Sequence, residues 1–186
     1  MSNTQIASSH SAAHTAHVQP VHAQPVHAQN GHAQIGQYLT FMLGGELLAI
    51  DILSIKEILE YGTPTKVPMM PKFICGVINL RGGVLPVIDL SALFEQPTAA
   101  VTRRSCIIVV ELEDAVDASS QCIGVLVDTV NEVIDIAAAN IKPEPTFGMR
   151  VRTDFINGIA QHGERFVILL NMSRVLSMTD IALPQQ

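Results

Sequence analysis

From Tyr38 onward, short apolar runs alternate with glycine, proline and Asx breaks, which is the pattern of brief strands joined by turns. The runs in the first half are Tyr38 to Leu43, Leu47 to Ile52 after Gly44-Gly45, Ile55 to Leu59, Phe73 to Leu80 and Val84 to Leu90. An apolar turn ending at Phe94 and a break at Pro97 follow. The second half repeats the series as Cys106 to Leu112, Gln121 to Val127, Val130 to Ile136, Phe155 to Ala160 and Phe166 to Leu170. That gives about five strands per half, with helix limited to a turn or two from Met172 to Met178. The β-branched residues of Ile55 to Leu59 allow strand or helix, and correspondence with Val130 to Ile134 favours strand. Pro64, Pro68 and Pro71 make 62 to 72 an irregular connection, and Pro86 marks a bulge or an edge.

The second half echoes the first. At a shift of 82 positions Phe73 falls on Phe155, Ile74 on Ile156, Gly76 on Gly158 and Ser91 on Ser173. Val84, Leu85, Val87 and Ile88 fall on Phe166, Val167, Leu169 and Leu170. A second match, at a shift of 75, sets Ile50 on Val125, Ile52 on Val127, Ile55 on Val130 and Glu57 on Glu132. The change of shift places a longer connection around Pro143 and Pro145, where a surface loop tolerates it. Short strands in two similar halves predict an all-β protein of two small β-barrels. Halves of this size are near the lower limit for folding alone, so the barrels are expected to share an apolar core, with a groove between them.

Composition narrows the function. With 48% hydrophobic side chains in 186 residues the chain is too apolar to be disordered throughout. Its net charge of −6, with eleven scattered Lys and Arg residues, argues against a nucleic-acid or anionic-membrane binder and leaves protein as the expected partner. The N-terminus lacks the basic and apolar regions of a secretory signal, and no apolar run approaches the ~18 residues that span a bilayer. A cytoplasmic location is therefore expected. Residues 1 to 36 hold no charged side chain, repeat Pro-Val-His-Ala-Gln from Pro20 and Pro25, and carry six of the seven histidines. They read as a disordered tail. A role in weak copper, nickel or zinc binding is the rival reading of that tail, but its histidine spacing fixes no coordination geometry, and no metal site is expected.

No catalytic arrangement is legible. His162 has no Ser or Cys partner in its sequence context, no phosphate-cradling glycine loop lies between a strand and a helix, and no paired Cys or His-x-x-x-His motif occurs. Neither enzymatic activity nor a cofactor is expected. Cys75, Cys106 and Cys122 sit in apolar stretches and read as buried reduced thiols. Asp51, Asp89, Asp128 and Asp135 end or interrupt apolar runs, where a carboxylate serves backbone amides. Arg81, at the Gly82-Gly83 turn, stands out because the echoing hairpin turns through His162-Gly163-Glu164, so the architecture does not demand an arginine. A guanidinium there suits carboxylate or carbonyl groups of another protein. The plainer reading is an ordinary turn arginine. Glu57, echoed by Glu132, reads as structural.

These residues resemble the CheW coupling proteins of bacterial chemotaxis. The likeness runs from about Gln37 to Ser177 and is carried by Phe41-Met42-Leu43-Gly44, Ile50-Asp51-Ile52, Glu57-Ile58-Leu59, Pro68 through Pro71, Val125 through Asp128 and Phe155-Ile156-Asn157-Gly158. Its sharpest part is Gly76-Val77-Ile78-Asn79-Leu80-Arg81-Gly82 followed by Leu85-Pro86-Val87-Ile88-Asp89-Leu90. The resemblance implies two five-stranded, SH3-like barrels around a common core. Residues 37 to 180 would form the domain, with subdomains of about 37–100 and 101–180. It implies a non-enzymatic adaptor joining the cytoplasmic tips of methyl-accepting chemoreceptors to the regulatory domain of the histidine kinase CheA, in arrays at the membrane but not inserted in it. A scaffold of a non-motility chemosensory pathway is the alternative within the class. Ile55, Glu57, Arg81 and Cys106 would form the receptor-binding groove, and Lys142 and Phe147 would contact kinase or neighbouring barrels. Ser91, Leu93, the acidic Glu113 to Ser120 loop and the histidine-rich leader depart from the family pattern.

Overall fold

The computed structural model describes residues 34–98, 100–113, 120–143 and 150–180. Among them the chain forms β1 (Ile35–Leu43), β2 (Glu46–Asp51), β3 (Ile55–Glu60), β4 (Ile74–Leu80), β5 (Gly83–Asp89), α1 (Leu90–Leu93), β6 (Cys106–Glu113), β7 (Ser120–Val127), β8 (Thr129–Ala137), β9 (Ile156–His162), β10 (Arg165–Leu170) and α2 (Met172–Asp180). Each apolar run of the sequence is a strand. The expected boundary of the tail shifts, because Ile35 and Gly36 pair with Ala137 and Ile136 and so belong to β1. Residues 1–33 of the expected disordered tail lie outside the described residues. Pro86 is in an inner strand, one residue before β5 begins its pairing with β7, so its missing N–H interrupts no bond on that side.

The strands make two five-stranded sheets, ordered β8-β1-β2-β10-β9 and β3-β6-β7-β5-β4. Advancing every strand of the first sheet by five places, modulo ten, reproduces the second. The duplication is therefore structural, but each sheet takes its central hairpin from one half and its other three strands from the opposite half. A division near residue 100 separates β3, β4 and β5 from β6 and β7, with which they share a sheet. The two halves exchange their first hairpins.

Register confirms the correspondence residue by residue. Val87 pairs in parallel with Gly124, and Leu169 pairs in parallel with Ala49, their equivalents at the two sequence shifts. Both sites take a small residue because the crossing is tight: a Cβ on Gly124 would come within 2.8 Å of Ile107 Cγ2. The β4–β5 ladder shifts register between Ile74 and Gly76, and the β9–β10 ladder shifts at the equivalent place, between Leu169 and Leu170. Thr65 bridges Val77 in one barrel as Lys142 bridges Ile159 in the other.

Both barrels press on one shared core. Leu39, Phe41, Leu48 and Ile50 of the first sheet meet Ile108, Val110, Ile123 and Val125 of the second in a single buried cluster, with Phe94 and Phe155 rings 5.6 Å apart at its edge. The opposite faces of the same strands fill barrel interiors, as Ala49, Ile134, Val167 and Leu169 do in the first. A side chain on a central strand is thus buried on either face, which explains why Ile107 to Val110 form an unbroken apolar run. Asp89 ends β5 by accepting from the amides of Ser91 and Ala92, and Asn171 caps the start of α2 by accepting from Arg174 N. Asp51 and Asp128 likewise accept from backbone amides, of Leu53 and Gly44, whereas Asp135 accepts from the side chain of Gln37.

Candidate protein-binding site

Leu80 pairs with Gly83, so Arg81 and Gly82 alone turn the chain from β4 to β5. Both have positive φ, 52° and 89°, the geometry of a type I′ hairpin turn. Glycine or asparagine is the usual occupant of such a position, and a longer side chain there costs about 1 kcal/mol. The equivalent residue of the β9–β10 turn is Gly163, with φ 60°. Asn79 accepts from Gly82 N at 3.0 Å and closes the turn from below.

The Arg81 guanidinium donates to Glu57 Oε2 at 3.1 Å, with side-chain exposures of 76% and 21%. A pair this open to water is worth roughly 0–1 kcal/mol. It offsets the strain of the turn without surplus, so stability does not explain why arginine occupies the position. Glu57 reaches Arg81 because of a bulge. Ile55 pairs with Val110 and Glu57 with Val109, so Lys56 and Glu57 together oppose one residue.

The bulge also sorts the remaining candidates. Ile55 lies opposite Val110 and packs on the shared core; Cys106 packs on the same core and pairs with Glu60 at the far end of the ladder. Ile55 and Cys106 are thus about 13 Å apart along β6, and the Cys106 thiol donates to the Arg104 carbonyl. Among the four receptor-groove candidates, Glu57 and Arg81 touch, while Ile55 and Cys106 mark the two ends of the seam-facing side of the same strand pair.

The other barrel repeats the motif with different chemistry. Glu132, the equivalent of Glu57, lies 3.5 Å from His162 Nε2 at the base of the β9–β10 turn, an ion pair only when the imidazole is protonated. Thr40 spans the corresponding bulge, its hydroxyl donating to Glu132 O and accepting from Glu132 N. Sequence reading paired Glu57 with Glu132 but not either carboxylate with its base; aligning the two hairpin connections on the two glutamates carries that signal. Also unforeseen is the cluster in which Lys56 Nζ lies 2.8 Å from Glu111 and 3.6 Å from Cys122 Sγ. Lys142 lines an open cavity of about 1200 Å³ with Leu47, Ile159 and Phe166. Phe147 lies outside the described residues.

Each barrel shows water two apolar side chains at equivalent places: Ile58 and Val84 in one, 45% and 74% exposed, and Val133 and Phe166 in the other, 46% and 70% exposed. Among the described residues no group of three His, Cys, Asp or Glu side chains is placed to hold a metal, and no helix is long and apolar enough to cross a membrane. All three cysteines are free and half-buried. Burial, and next the Asp89 carboxylate, push the Cys75 thiol up to about 11. At pH 8 that leaves Cys75 about a hundredfold less thiolate than an ordinary thiol. Alkylation by iodoacetamide, followed by peptide mass spectrometry, is expected to label Cys75 in the denatured chain at least a hundredfold faster than in the folded one. Equal rates would overturn the assignment.

Residues 37–180 match the CheW-like domain family. The chain is 36% identical over 150 residues to the chemotaxis protein CheW of Klebsiella aerogenes, covering 80% of this chain and 87% of that protein. It is 33% identical over 151 residues to the chemotaxis protein CheW of Bacillus subtilis, covering 80% and 92%. The crystal structure of the scaffolding protein TtCheW from Thermoanaerobacter tengcongensis superposes with a TM-score of 0.67 at 34% identity, covering 78% of this chain and 90% of that one. These matches, over a chain folded as an exchanged pair of five-stranded barrels, establish that it belongs to the CheW family.

Proposed function

We propose that this protein is a non-enzymatic scaffold of a chemosensory system, binding the cytoplasmic tips of chemoreceptors through the β3 side of the inter-barrel seam and the regulatory domain of CheA through its barrel ends. The observation that carries the reading is Arg81, a mostly exposed cation held in a left-handed turn where the repeated hairpin has glycine. Glu57 orients the guanidinium, and Ile55 and Cys106 bound an apolar strip on the adjoining face, a combination suited to a helical tip with acidic and apolar residues. The equivalent exposed pairs Ile58/Val84 and Val133/Phe166, with Lys142 beside the latter, suit a partner that is itself built of such barrels. One barrel of each molecule meeting the opposite barrel of the next is a heterologous contact that propagates or closes into a ring. Coupling is then a matter of held geometry, which requires the molecule to be cytoplasmic and close to the membrane only through its receptors.

Co-sedimentation tests this. Receptor cytoplasmic fragments templated on vesicles, mixed with CheA and the full-length chain, are expected to pellet both proteins together. The reading fails if the chain stays in the supernatant, or if CheA pellets equally well without it.

A further inference from the structure

We infer that Asn79 is a positioning residue for Arg81: within the hairpin that Leu80 and Gly83 close, its side chain stabilises the left-handed turn that aims the guanidinium. The inference rests on the reading of Arg81 as a receptor contact and adds the residue that makes the contact possible.

The two hairpins differ at this turn. In β9–β10 the first turn residue is Gly163, which adopts φ 60° without steric conflict. The residue equivalent to Asn79 is Gln161, whose amide donates to the Gly163 carbonyl and accepts from no turn amide. In β4–β5 the first turn residue is Arg81, for which φ 52° is strained, and the second, Gly82, is left-handed as well, whereas Glu164 in the other turn is not. Here the partner two positions earlier is asparagine, with its oxygen 3.0 Å from Gly82 N. With Leu80 and Gly83 held in register, that bond ties the second turn amide back to the strand and so stabilises the left-handed pair Arg81 and Gly82. Glu57 cannot substitute for it. Its contact fixes the far end of a long side chain and tolerates several backbone conformations, while Asn79 fixes the backbone itself. Asn79 is exposed and absent from the buried core, so packing gives no competing reason for its identity.

The test is a cycle of variants in the full-length chain: Asn79→Ala, Asn79→Asp, Arg81→Gly, and Asn79→Ala combined with Arg81→Gly. With a soluble fragment carrying a chemoreceptor's cytoplasmic hairpin tip as probe, Asn79→Ala is expected to bind about tenfold more weakly. Asn79→Asp, which keeps the accepting oxygen, is expected to stay within about twofold of the parent. The amide-to-Hα coupling of residue 81, read by NMR without any partner, should lose its left-handed value in Asn79→Ala. The thermal destabilisation caused by Asn79→Ala should disappear when residue 81 is glycine, since glycine needs no support. The inference is overturned if that destabilisation is the same in both backgrounds, if the coupling is unchanged, or if Asn79→Asp loses as much affinity as Asn79→Ala. Arg81→Glu separates the layers: undiminished receptor binding in that variant removes the receptor reading, while the coupling and the stability cycle still decide the role of Asn79.

Discussion

Arg81→Glu is expected to weaken binding of the receptor fragment by about 2–3 kcal/mol, roughly 30- to 150-fold, while leaving CheA binding within a few-fold. The substitution removes the guanidinium and sets a second carboxylate where Glu57 Oε2 lay 3.1 Å from the arginine. The turn proposed to face the receptor thereby changes from neutral pair to net negative. Fold stability should change by no more than about 1 kcal/mol, because the pair is exposed and glutamate suffers the left-handed turn no more than arginine does. Titration calorimetry with each partner separately reads the difference. Equal losses for receptor and kinase would show that the turn acts on the whole molecule and not on one face. Raising the salt concentration should shrink the gap between parent and variant, since the affected charges lie in water.

Gly76→Ala should be far more damaging, costing about 3–5 kcal/mol of stability. Two causes add. Gly76 has φ 141°, which an L side chain rarely adopts, and its Cβ would lie 2.3 Å from the Thr65 carbonyl oxygen. That oxygen accepts from Val77 N, and Thr65 N donates to Val77 O, so relief of the clash breaks the two bonds that hold Thr65 against β4. Gly158 is in the same situation against the Lys142 carbonyl, at 2.8 Å. Gly62→Ala is the control: nothing lies within 4 Å of the added carbon and φ needs no glycine. Urea denaturation of the three variants should place Gly76→Ala and Gly158→Ala well below the parent and Gly62→Ala beside it. A parent-like Gly76→Ala would mean the bulge opens at little cost.

Those glycines show why so much of the architecture was legible. Gly76 and Gly158 recur at a fixed shift because the backbone of a neighbouring segment passes where a Cβ would sit, and Ser91 and Ser173 recur two residues after the side chain that caps each helix, Asp89 or Asn171. Constraints of this kind leave identical letters in a sequence. The exchange of hairpins leaves none: Leu48 and Ile123 must be apolar whether β2 and β7 join their own half or the other, so pairing across some 120 residues is invisible to local pattern. The site was half legible for the same reason. Arg81 stood out because the repeat lacks it, but the turn was read one residue late, at Gly82-Gly83, since only the pairing of Leu80 with Gly83 reveals which residues turn. Glu132 and His162 meet across a barrel end, and no spacing rule links them.

The exchanged hairpins also bear on descent and on dissection. A single repeat holds two strands of one barrel and three of the other, so on its own it can close neither, and scission near residue 100 should give fragments that regain structure only when mixed. The smallest self-sufficient form of one repeat is a pair of identical chains, each lending its leading hairpin to its twin. Tandem fusion of such an intertwined ancestor would make the pair permanent and free its two copies to diverge, one keeping glycine at its turn and the other gaining an arginine.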